Sequence, residues 1–242
     1  MPAETLILVP GLLCDEAVWQ PLLPGLSGAG AIQIARHGGL DSLGAMAEAI
    51  LAGAPPRFAL AGHSMGGRVA LEVYARAPER VTRLALLDTG YEGLAAGVAG
   101  ERERDGRLRL LGIARHDGMR AMGQDWARGM VHPARLSDAP LMEAILAMIG
   151  RADAAIFDAQ IRALLARPDR STLLAAIAVP TLVLCGHEDS WSPLARHRAM
   201  ADQIPGSVLV DIADSGHMSP MEQPAAVSAA LREWLADASG QA

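Results

Sequence analysis

Lysine is absent from the 242-residue sequence, in which all 21 basic residues are arginine. Without a lysine amine, the chain cannot form a Schiff base with a carbonyl substrate or with pyridoxal phosphate. It also cannot supply the lysine of a phosphate-binding P-loop. The missing residue therefore excludes several large classes of enzyme chemistry, and we expect no cofactor.

Cysteine and long apolar runs are also scarce. The two cysteines, Cys14 and Cys185, are too few for a disulfide framework and, by themselves, for a zinc site. No apolar run approaches the ~20 residues that span a bilayer, and the first residues lack the basic segment of a secretory signal. We expect a cytoplasmic protein with no metal and no membrane span.

Charge is modest and of the wrong sign for nucleic acid. The net charge is −6, and no basic block extends beyond Arg102–Arg109. This composition disfavours nucleic-acid binding and favours a small-molecule partner. The charges alternate in sign over Glu101–Asp105, a pattern that predicts a solvated helix face. The sequence does not indicate the oligomeric state.

Half of the residues are apolar although only eight are aromatic, so aliphatic side chains must fill the core. Short apolar runs, mostly continuous rather than alternating, predict strands that are buried on both faces. They are Thr5–Val9, Ala31–Ala35, Phe58–Ala61, Arg83–Leu87, Thr181–Cys185 and Ser207–Asp211. Helical patterns lie between or after them, at Leu43–Leu51, Met65–Ala77, Pro193–Gln203 and Glu222–Ala236. This alternation predicts a mostly parallel, six-stranded α/β sheet flanked by helices.

One stretch breaks the alternation. Residues 89–179, here called the helical insertion, contain helix-like patterns but no convincing strand. Ninety residues of helix are too many for a simple crossover, so we predict a helical cap, or lid, over one end of the sheet. The predicted core then consists of residues 1–88 and 180–242.

The sharpest local motif is Gly62-His-Ser-Met-Gly-Gly67, which follows one predicted strand and opens the next predicted helix. A Gly-x-Ser-x-Gly run in this context is typical of a nucleophile elbow, a tight turn that exposes the serine hydroxyl. Glycines at 62 and 66 let the neighbouring backbone approach without a Cβ clash. Ser64 is therefore the candidate nucleophile.

A serine needs a base, and the base needs a carboxylate to orient it. His217 lies in the loop after the last predicted strand, and we prefer it to His187 and His197. We interpret His63, beside the serine, as a packed residue. The candidate acid is Asp189, which follows the strand Thr181–Cys185; Glu188 and Asp88 are its rivals. All three preferred residues follow strands whose carboxyl ends should share one edge of the sheet.

The negative charge of a tetrahedral intermediate needs hydrogen-bond donors. The backbone N–H of Met65, directly after the serine, is one candidate. The N–H of Leu12, in the loop after the first strand, is the other. The same loop also reads as a plain turn in which Asp15 caps the following helix.

Four segments together resemble the α/β-hydrolase family, in its esterase and acyl-hydrolase group: Val9–Leu12, Gly62–Gly67, Pro180–Asp189 and Ser215–His217. The resemblance extends over nearly the whole chain. It implies a nucleophile at Ser64, an acid at Asp189, a base at His217, donors at Leu12 and Met65, and a helical cap. The family often has His-Gly where this chain has Pro10-Gly11, so the bracing side chain of that histidine is lost.

The expected reaction is hydrolysis of a small carboxylic ester or thioester through an acyl-enzyme. The same motif also serves C–C bond hydrolases, perhydrolases and a lyase of menaquinone synthesis, so it does not decide between them. A ligand receptor on the same fold is an alternative of another class.

An anionic substrate would need arginines facing the pocket, and the insertion offers Arg115, Arg120, Arg128 and Arg135. Trp191 and Met218 are candidates for the pocket entrance. The methionines of the insertion, at 119, 122, 130, 142 and 148, are read mainly as core filler.

Overall fold

A computed structural model of the protein describes residues 4–27 and 30–237. Its sheet has six parallel strands in the order β2-β1-β3-β4-β5-β6. The strands are β1 (Leu6–Val9), β2 (Ile32–Ile34), β3 (Phe58–His63), β4 (Val81–Leu87), β5 (Thr181–Gly186) and β6 (Val208–Ile212). The predicted fold class is confirmed. The outermost residues of the predicted core, 1–3 and 238–242, lie outside the described residues.

Burial along each strand explains why the sheet could be seen in the sequence. Every residue of β1, β3 and β5 is buried, as expected for inner strands covered by helices on both faces. The outer strands β2 and β6 are only partly buried. Their weaker patterns follow from having one strand neighbour instead of two.

Helices pack on both faces of the sheet and connect its strands. Their bounds are α1 (Leu43–Gly53), α2 (Met65–Arg76), α3 (Val98–His116), α4 (Met119–Trp126), α5 (Ala139–Ile149), α6 (Ala154–Leu165), α7 (Ser171–Leu174), α8 (Leu194–Ala201), α9 (Ser219–Glu222) and α10 (Pro224–Ala236). The single helix predicted over Glu222–Ala236 is replaced by α9 and α10. Gln223 leaves the helical conformation between them because a residue before proline is disfavoured there. In the described part of the chain, no helix has both the length and the apolar character needed to cross a membrane.

The helical insertion carries α3 to α7, and none of its residues, all of them described, forms a strand. Asp138 and Asp153 begin α5 and α6, since each side chain accepts a hydrogen bond from a backbone N–H three residues on. Arg170 ties the insertion to the core through two contacts with the buried carboxylate of Glu72 in α2, at 2.5 and 2.8 Å. The insertion is thus anchored next to the helix that begins at the elbow.

Candidate active site

Ser64 lies between the last residue of β3 and the first residue of α2. Its backbone has φ 55° and ψ −119°, a strained conformation for a residue with a side chain. The Ser64 N–H donates to the carbonyl of Leu87 (2.9 Å), and its own carbonyl accepts from the Thr89 hydroxyl (2.6 Å). These contacts with the end of β4 hold the turn in place and leave the Ser64 side chain half-buried at its tip.

The loop after β1 touches this turn directly. A Cβ on Gly66 would lie 2.0 Å from the carbonyl oxygen of Val9, and a Cβ on Gly11 would lie 3.1 Å from the Cβ of Ser64. Only glycine permits the first approach. Leu12 and Met65, the two predicted donors, line the same cavity as Ser64. Asp15 also caps the next short helix, since its side chain accepts from the N–H of Ala17.

Ser64, His217 and Asp189 form one chain of hydrogen bonds. The Nε2 atom of His217 lies 2.8 Å from Ser64 Oγ, and its Nδ1 atom lies 2.8 Å from Asp189 Oδ2. A carboxylate can only accept, so Nδ1 donates to it, and Nε2 of the neutral ring accepts from the serine hydroxyl. Asp189 Oδ1 accepts from the N–H groups of Trp191 (2.8 Å) and Ser192 (2.9 Å). The structure brings together the three side chains singled out from the sequence.

The buried pair has opposite pKa shifts. Burial alone would lower the pKa of His217, which is 4% exposed, but the charge of Asp189 and its hydrogen bond outweigh burial and raise the pKa above its usual range. Burial would likewise raise the pKa of Asp189, which is 3% exposed, but the charge of His217 and the donated hydrogen bonds lower it. Each group favours the charged form of the other.

The residues considered as alternatives for the base and the acid have other partners. His187 is exposed and pairs with Asp211, whereas the buried ring of His197 accepts from the N–H of Thr89. Glu188 accepts from the N–H of Ser215. Asp88 is buried close to Asp189.

His63 is packed beneath the turn, where it was expected. It is buried, and its Nε2 atom donates to the backbone carbonyl of His217 (2.8 Å). Burial, followed by the charge of His217, lowers the pKa of His63 to about 3, so the ring is neutral. It therefore supports the backbone of the residue that contacts Ser64.

Glu222 is a site residue that the sequence analysis missed. Its buried carboxylate accepts from the N–H groups of Gly216 (3.0 Å) and Met218 (3.2 Å), which flank His217. It also accepts from the N–H of His132 in the helical insertion (2.7 Å). Glu222 thus joins the loop of His217 to the insertion. The sequence placed Glu222 at the start of a predicted helix, a position that gives no signal for this role, whereas the structure makes it the last residue of α9.

A cavity of about 820 Å³ opens over Ser64 and His217. One side is aromatic: Trp191 contacts the His217 ring (5.0 Å between centroids), and Trp126 stacks on Trp191 (5.3 Å). Phe157 lies beside Trp126, so three of the eight aromatic residues line this cavity. Trp191 and Met218, the two residues predicted at the pocket entrance, both line the cavity. Of the five methionines of the insertion named above, only Met130 lines it.

Arginines form a second group of cavity-lining residues, here called the arginine side. Six arginines and three acids line the cavity, in a chain whose net charge is −6. The arginines are Arg68, Arg102, Arg107, Arg109, Arg167 and Arg196. The four arginines proposed from the sequence are not among the lining residues; three of them pair elsewhere, Arg115 with Asp158, Arg120 with Glu143 and Arg135 with Asp138. The packing of the insertion determines the direction in which these side chains point, and the sequence did not show that packing.

Glu103 corrects the expectation of a solvated face over Glu101–Asp105. It is half-buried and pairs with Arg107 (2.8 Å) and Arg167 (2.7 Å) at the cavity wall. These two arginines hold the pKa of Glu103 down at about 2 although burial opposes them. The other acids of that run are exposed.

Arg68 stands out among the lining arginines. Its Nη1 atom donates to the carbonyl of Glu92 (2.6 Å), and within the described chain it has no acidic partner within 4.0 Å. Burial and the charges of Arg167 and Arg196 lower the pKa of Arg68 to about 9. A sequence signal did exist, because Arg68 follows Ser64 by four residues and lies one turn along the same helix.

The profile of the α/β-hydrolase family matches residues 6–230, so the chain belongs to that family. Among curated relatives, it is 28% identical to the 2-succinyl-6-hydroxy-2,4-cyclohexadiene-1-carboxylate synthase of Salmonella newport. That match covers 96% of this chain and 93% of the relative.

Two solved structures extend the comparison. A thermophilic esterase from Thermogutta terrifontis, determined with malate bound, superposes with a TM-score of 0.85 at 29% identity, covering 96% of this chain and 89% of that one. An enol-lactonase from Burkholderia xenovorans LB400 also gives a TM-score of 0.85, at 22% identity, over 97% and 92% of the two chains. The second likeness shows the shared fold.

Proposed function

We propose that the protein hydrolyses small carboxylic esters or thioesters, with Ser64 as nucleophile, His217 as base and Asp189 as the orienting acid. The observation that carries the proposal is the continuous hydrogen-bonded chain from Ser64 Oγ through both nitrogens of His217 to Asp189. A base in contact with a serine hydroxyl, and a carboxylate that fixes its tautomer, are what acyl transfer requires.

In this mechanism, His217 Nε2 takes the hydroxyl proton of Ser64 as Oγ attacks the substrate carbonyl. The Asp189 carboxylate stabilises the imidazolium ion that forms. The backbone N–H groups of Leu12 and Met65 donate to the substrate oxygen as it becomes negative. The imidazolium ion then protonates the leaving alcohol or thiol. Water, activated by the same His217, attacks the acyl-enzyme and releases the acid.

The helical insertion acts as a lid in this proposal. It supplies Trp126, Phe157 and Met130 to the cavity wall, and Glu222 connects it to the loop of His217. Its apolar side limits the access of water to the reacting atoms. The acyl or alcohol group packs against these side chains.

The arginine side favours substrates that carry a carboxylate. Arg68 is a half-buried, cavity-lining guanidinium with no acidic partner within 4.0 Å among the described residues, whereas Arg102, which also lacks one, is exposed. The neighbours of Arg68, Arg167 and Arg196, are also positive. A carboxylate would relieve the repulsion among these charges and accept the hydrogen bonds that Arg68 can offer. We therefore expect an ester with a carboxylate on the part of the molecule that faces Arg68.

A second candidate is a lyase-type reaction on a carboxylated substrate, like that of the curated relatives named as synthases. The arginine side of the cavity is the specific observation in its favour. In such a reaction Ser64 and His217 would remove a proton from carbon, and no acyl-enzyme would form. Hydrolysis keeps the first place because the hydrogen-bonded chain of Ser64, His217 and Asp189 supports acyl transfer and because one solved relative at 29% identity is an esterase.

Isotope labelling separates the two reactions. Purified protein is incubated in ¹⁸O water with paired neutral and carboxylated esters and thioesters, and the products are examined by mass spectrometry. Hydrolysis places one ¹⁸O atom in the released acid and gives an acyl adduct on Ser64 after rapid quenching. Elimination gives neither. A single burst of product without steady turnover would instead support a ligand receptor.

A further inference from the structure

Asp88 is a buried acid that the proposed reaction leaves unused. It directly follows β4, between the strands that lead to Ser64 and Asp189, and its exposed fraction is 0%. Its φ of 47° lies in the left-handed region, which aspartate and asparagine tolerate better than most residues. The Oδ1 atom accepts from the N–H of Gly186 (2.8 Å), and Oδ2 lies 2.5 Å from the hydroxyl oxygen of Ser219. Asp88 therefore has one partner that can only donate, the N–H of Gly186, and one that can donate or accept, the hydroxyl of Ser219.

Asp88 and Asp189 are too close for both to be ionised easily. A carboxylate oxygen of each lies within 4.8 Å of the other, and both side chains are buried. Like charges at this distance in a buried site raise the pKa of one member of the pair. Asp189 is the better-stabilised anion, because it accepts from His217 and from two backbone N–H groups. The proton consequently belongs on Asp88.

The other groups around Asp88 offset a negative charge there only in part. The charge of His217 and the hydrogen bonds from Ser219 and Gly186 favour the anion, but burial and the charge of Asp189 outweigh them. Among the described residues, His63 is the basic group within 4.0 Å of its carboxylate, at 3.6 Å, and that ring is neutral. The remaining titratable neighbours are His217, Asp189 and the Cys185 thiol, whose Sγ lies within 4.8 Å of both acids. The contact with Ser219 suits a protonated acid, since a hydroxyl can accept from a carboxylic O–H as well as donate to a carboxylate.

We infer that Asp88 is a positioning residue that keeps its proton while Ser64 reacts, so that the buried site holds the single negative charge of Asp189. This inference rests on the proposed function of Ser64 and His217. A second negative charge would oppose the anion that develops on the substrate oxygen. It would also favour the protonated form of His217, which cannot act as a base.

The pH range in which this matters follows from the surroundings. Burial, followed by the charge of Asp189, raises the pKa of Asp88 to about 8. Below that pH, Oδ2–H donates to Ser219 Oγ. Above it, the proton leaves to solvent and the serine hydroxyl donates to the carboxylate. The site should therefore lose reactivity on the alkaline side of pH 8.

The test uses Asp88→Asn in the full-length protein. Asparagine offers an acceptor to the N–H of Gly186 and a donor to Ser219, as the protonated acid does, and it tolerates the same φ. The rate at which phenylmethanesulfonyl fluoride inactivates Ser64 is measured between about pH 5 and pH 10, together with kcat/KM for an ester. In the unsubstituted protein, both should fall about tenfold between the plateau and pH 9, one unit above the pKa of Asp88. In Asp88→Asn this alkaline fall should disappear and the acidic limb should stay in place.

Asp211→Asn, which changes an exposed acid on β6, is the matched control and should retain the alkaline fall. An acidic limb that moves to lower pH in Asp88→Asn would overturn the inference, since Asp88 would then be ionised at neutral pH. Persistence of the alkaline fall in that variant would overturn it as well.

Infrared difference spectroscopy gives a readout that does not depend on turnover. The unsubstituted protein at neutral pH should show the carbonyl band of a buried, protonated carboxylic acid, and Asp88→Asn should lack it. Absence of the band overturns the inference about Asp88. Failure of the proposed function would instead appear as no reaction at Ser64 with the band still present.

Discussion

Two groups of residues at the cavity, here called the reacting end and the arginine end, are built in different ways. At the reacting end, Ser64, Asp189 and His217 each follow a parallel strand, and hydrogen bonds of 2.8 Å connect them. At the arginine end, Arg68, Glu103 and Arg167 come from or directly follow helices. An ion pair holds Glu103 and Arg167, and a hydrogen bond to the carbonyl of Glu92 holds Arg68. The sheet fixes where chemistry occurs, whereas the packing of helices decides what is held against it.

This difference indicates how the two ends should respond to change. The reacting end depends on a few groups that act as a unit, so loss of one should remove most of the activity. The arginine end contains several like charges, so loss of one should weaken recognition selectively. Substitutions at the two ends can therefore be told apart by the kinetic constants that they alter.

The largest effect is expected for Ser64→Ala. Without the nucleophile, kcat/KM for ester hydrolysis should fall by roughly 10⁴-fold or more, while the circular dichroism spectrum and Tm stay close to those of the unsubstituted protein. Ser190→Ala, which alters an exposed serine near the cavity, is the control. Substantial ester turnover in Ser64→Ala would contradict the assigned mechanism.

The next effect is expected for Arg68→Met, tested on a carboxylated ester and its neutral methyl ester. Loss of a charge-assisted contact with the substrate should raise KM for the carboxylated compound by about 10–100-fold. The constants for the neutral compound should change by less than about threefold. Arg120→Met removes an exposed arginine that pairs with Glu143, outside the cavity lining, and should change neither. Equal losses on both esters would mean that Arg68 serves the structure instead of the substrate.

A smaller effect is expected where the two ends are joined, at Glu222. In the unsubstituted protein both carboxylate oxygens of Glu222 accept from backbone N–H groups. In Glu222→Gln, the amide NH₂ replaces one of these oxygens and must face a backbone N–H, which is also a donor. We expect a loss of about 1–3 kcal/mol in the free energy of unfolding, from chemical denaturation, and a fall in kcat/KM of about tenfold. Glu79→Gln, at an exposed acid, provides the comparison. A variant with normal stability and activity would show that Glu222 does not hold the His217 loop.

The smallest effect is a shift in the acidic limb of the pH profile. Because the net influence of Asp189 raises the pKa of His217, the ring stays protonated to a higher pH than a free histidine. Activity should therefore rise with pH and reach half of its plateau above pH 6.5, the usual value for histidine. Rates of ester hydrolysis across this range provide the measurement. A half-maximum at or below 6.5 would show that the charge of Asp189 does not dominate at His217.

Much of the fold was predictable because buried parallel strands produce continuous apolar runs. The parallel direction of the strands also placed residues 64, 189 and 217 at one edge, although they are far apart in sequence. The observed strands β3 and β5 end only one or two residues later than the predicted apolar runs, at His63 and Gly186. The prediction missed the division into α9 and α10 because it relied on the helical spacing of apolar residues. It gave too little weight to Pro224, which disfavours the helical conformation of Gln223.

The cavity wall could not be predicted in the same way. Arg115 and Arg135 were candidates from position alone, but their ion pairs turn them elsewhere. Glu103 lies in a run of alternating charge that resembles a solvated helix face, and its burial depends on Arg167, 64 residues later. Glu222 acts through backbone N–H groups, which leave no mark on side-chain patterns.

The amino-acid sequence by itself determined the parallel sheet and the residues that close on its carboxyl edge, because strand periodicity and turn chemistry are local properties. Only the tertiary structure decided which arginines face the cavity, which glutamate joins the helical insertion to the core, and that two buried acids share one neighbourhood. Each of these depends on contacts between distant segments, and the balance of burial and charge at those contacts is set by packing.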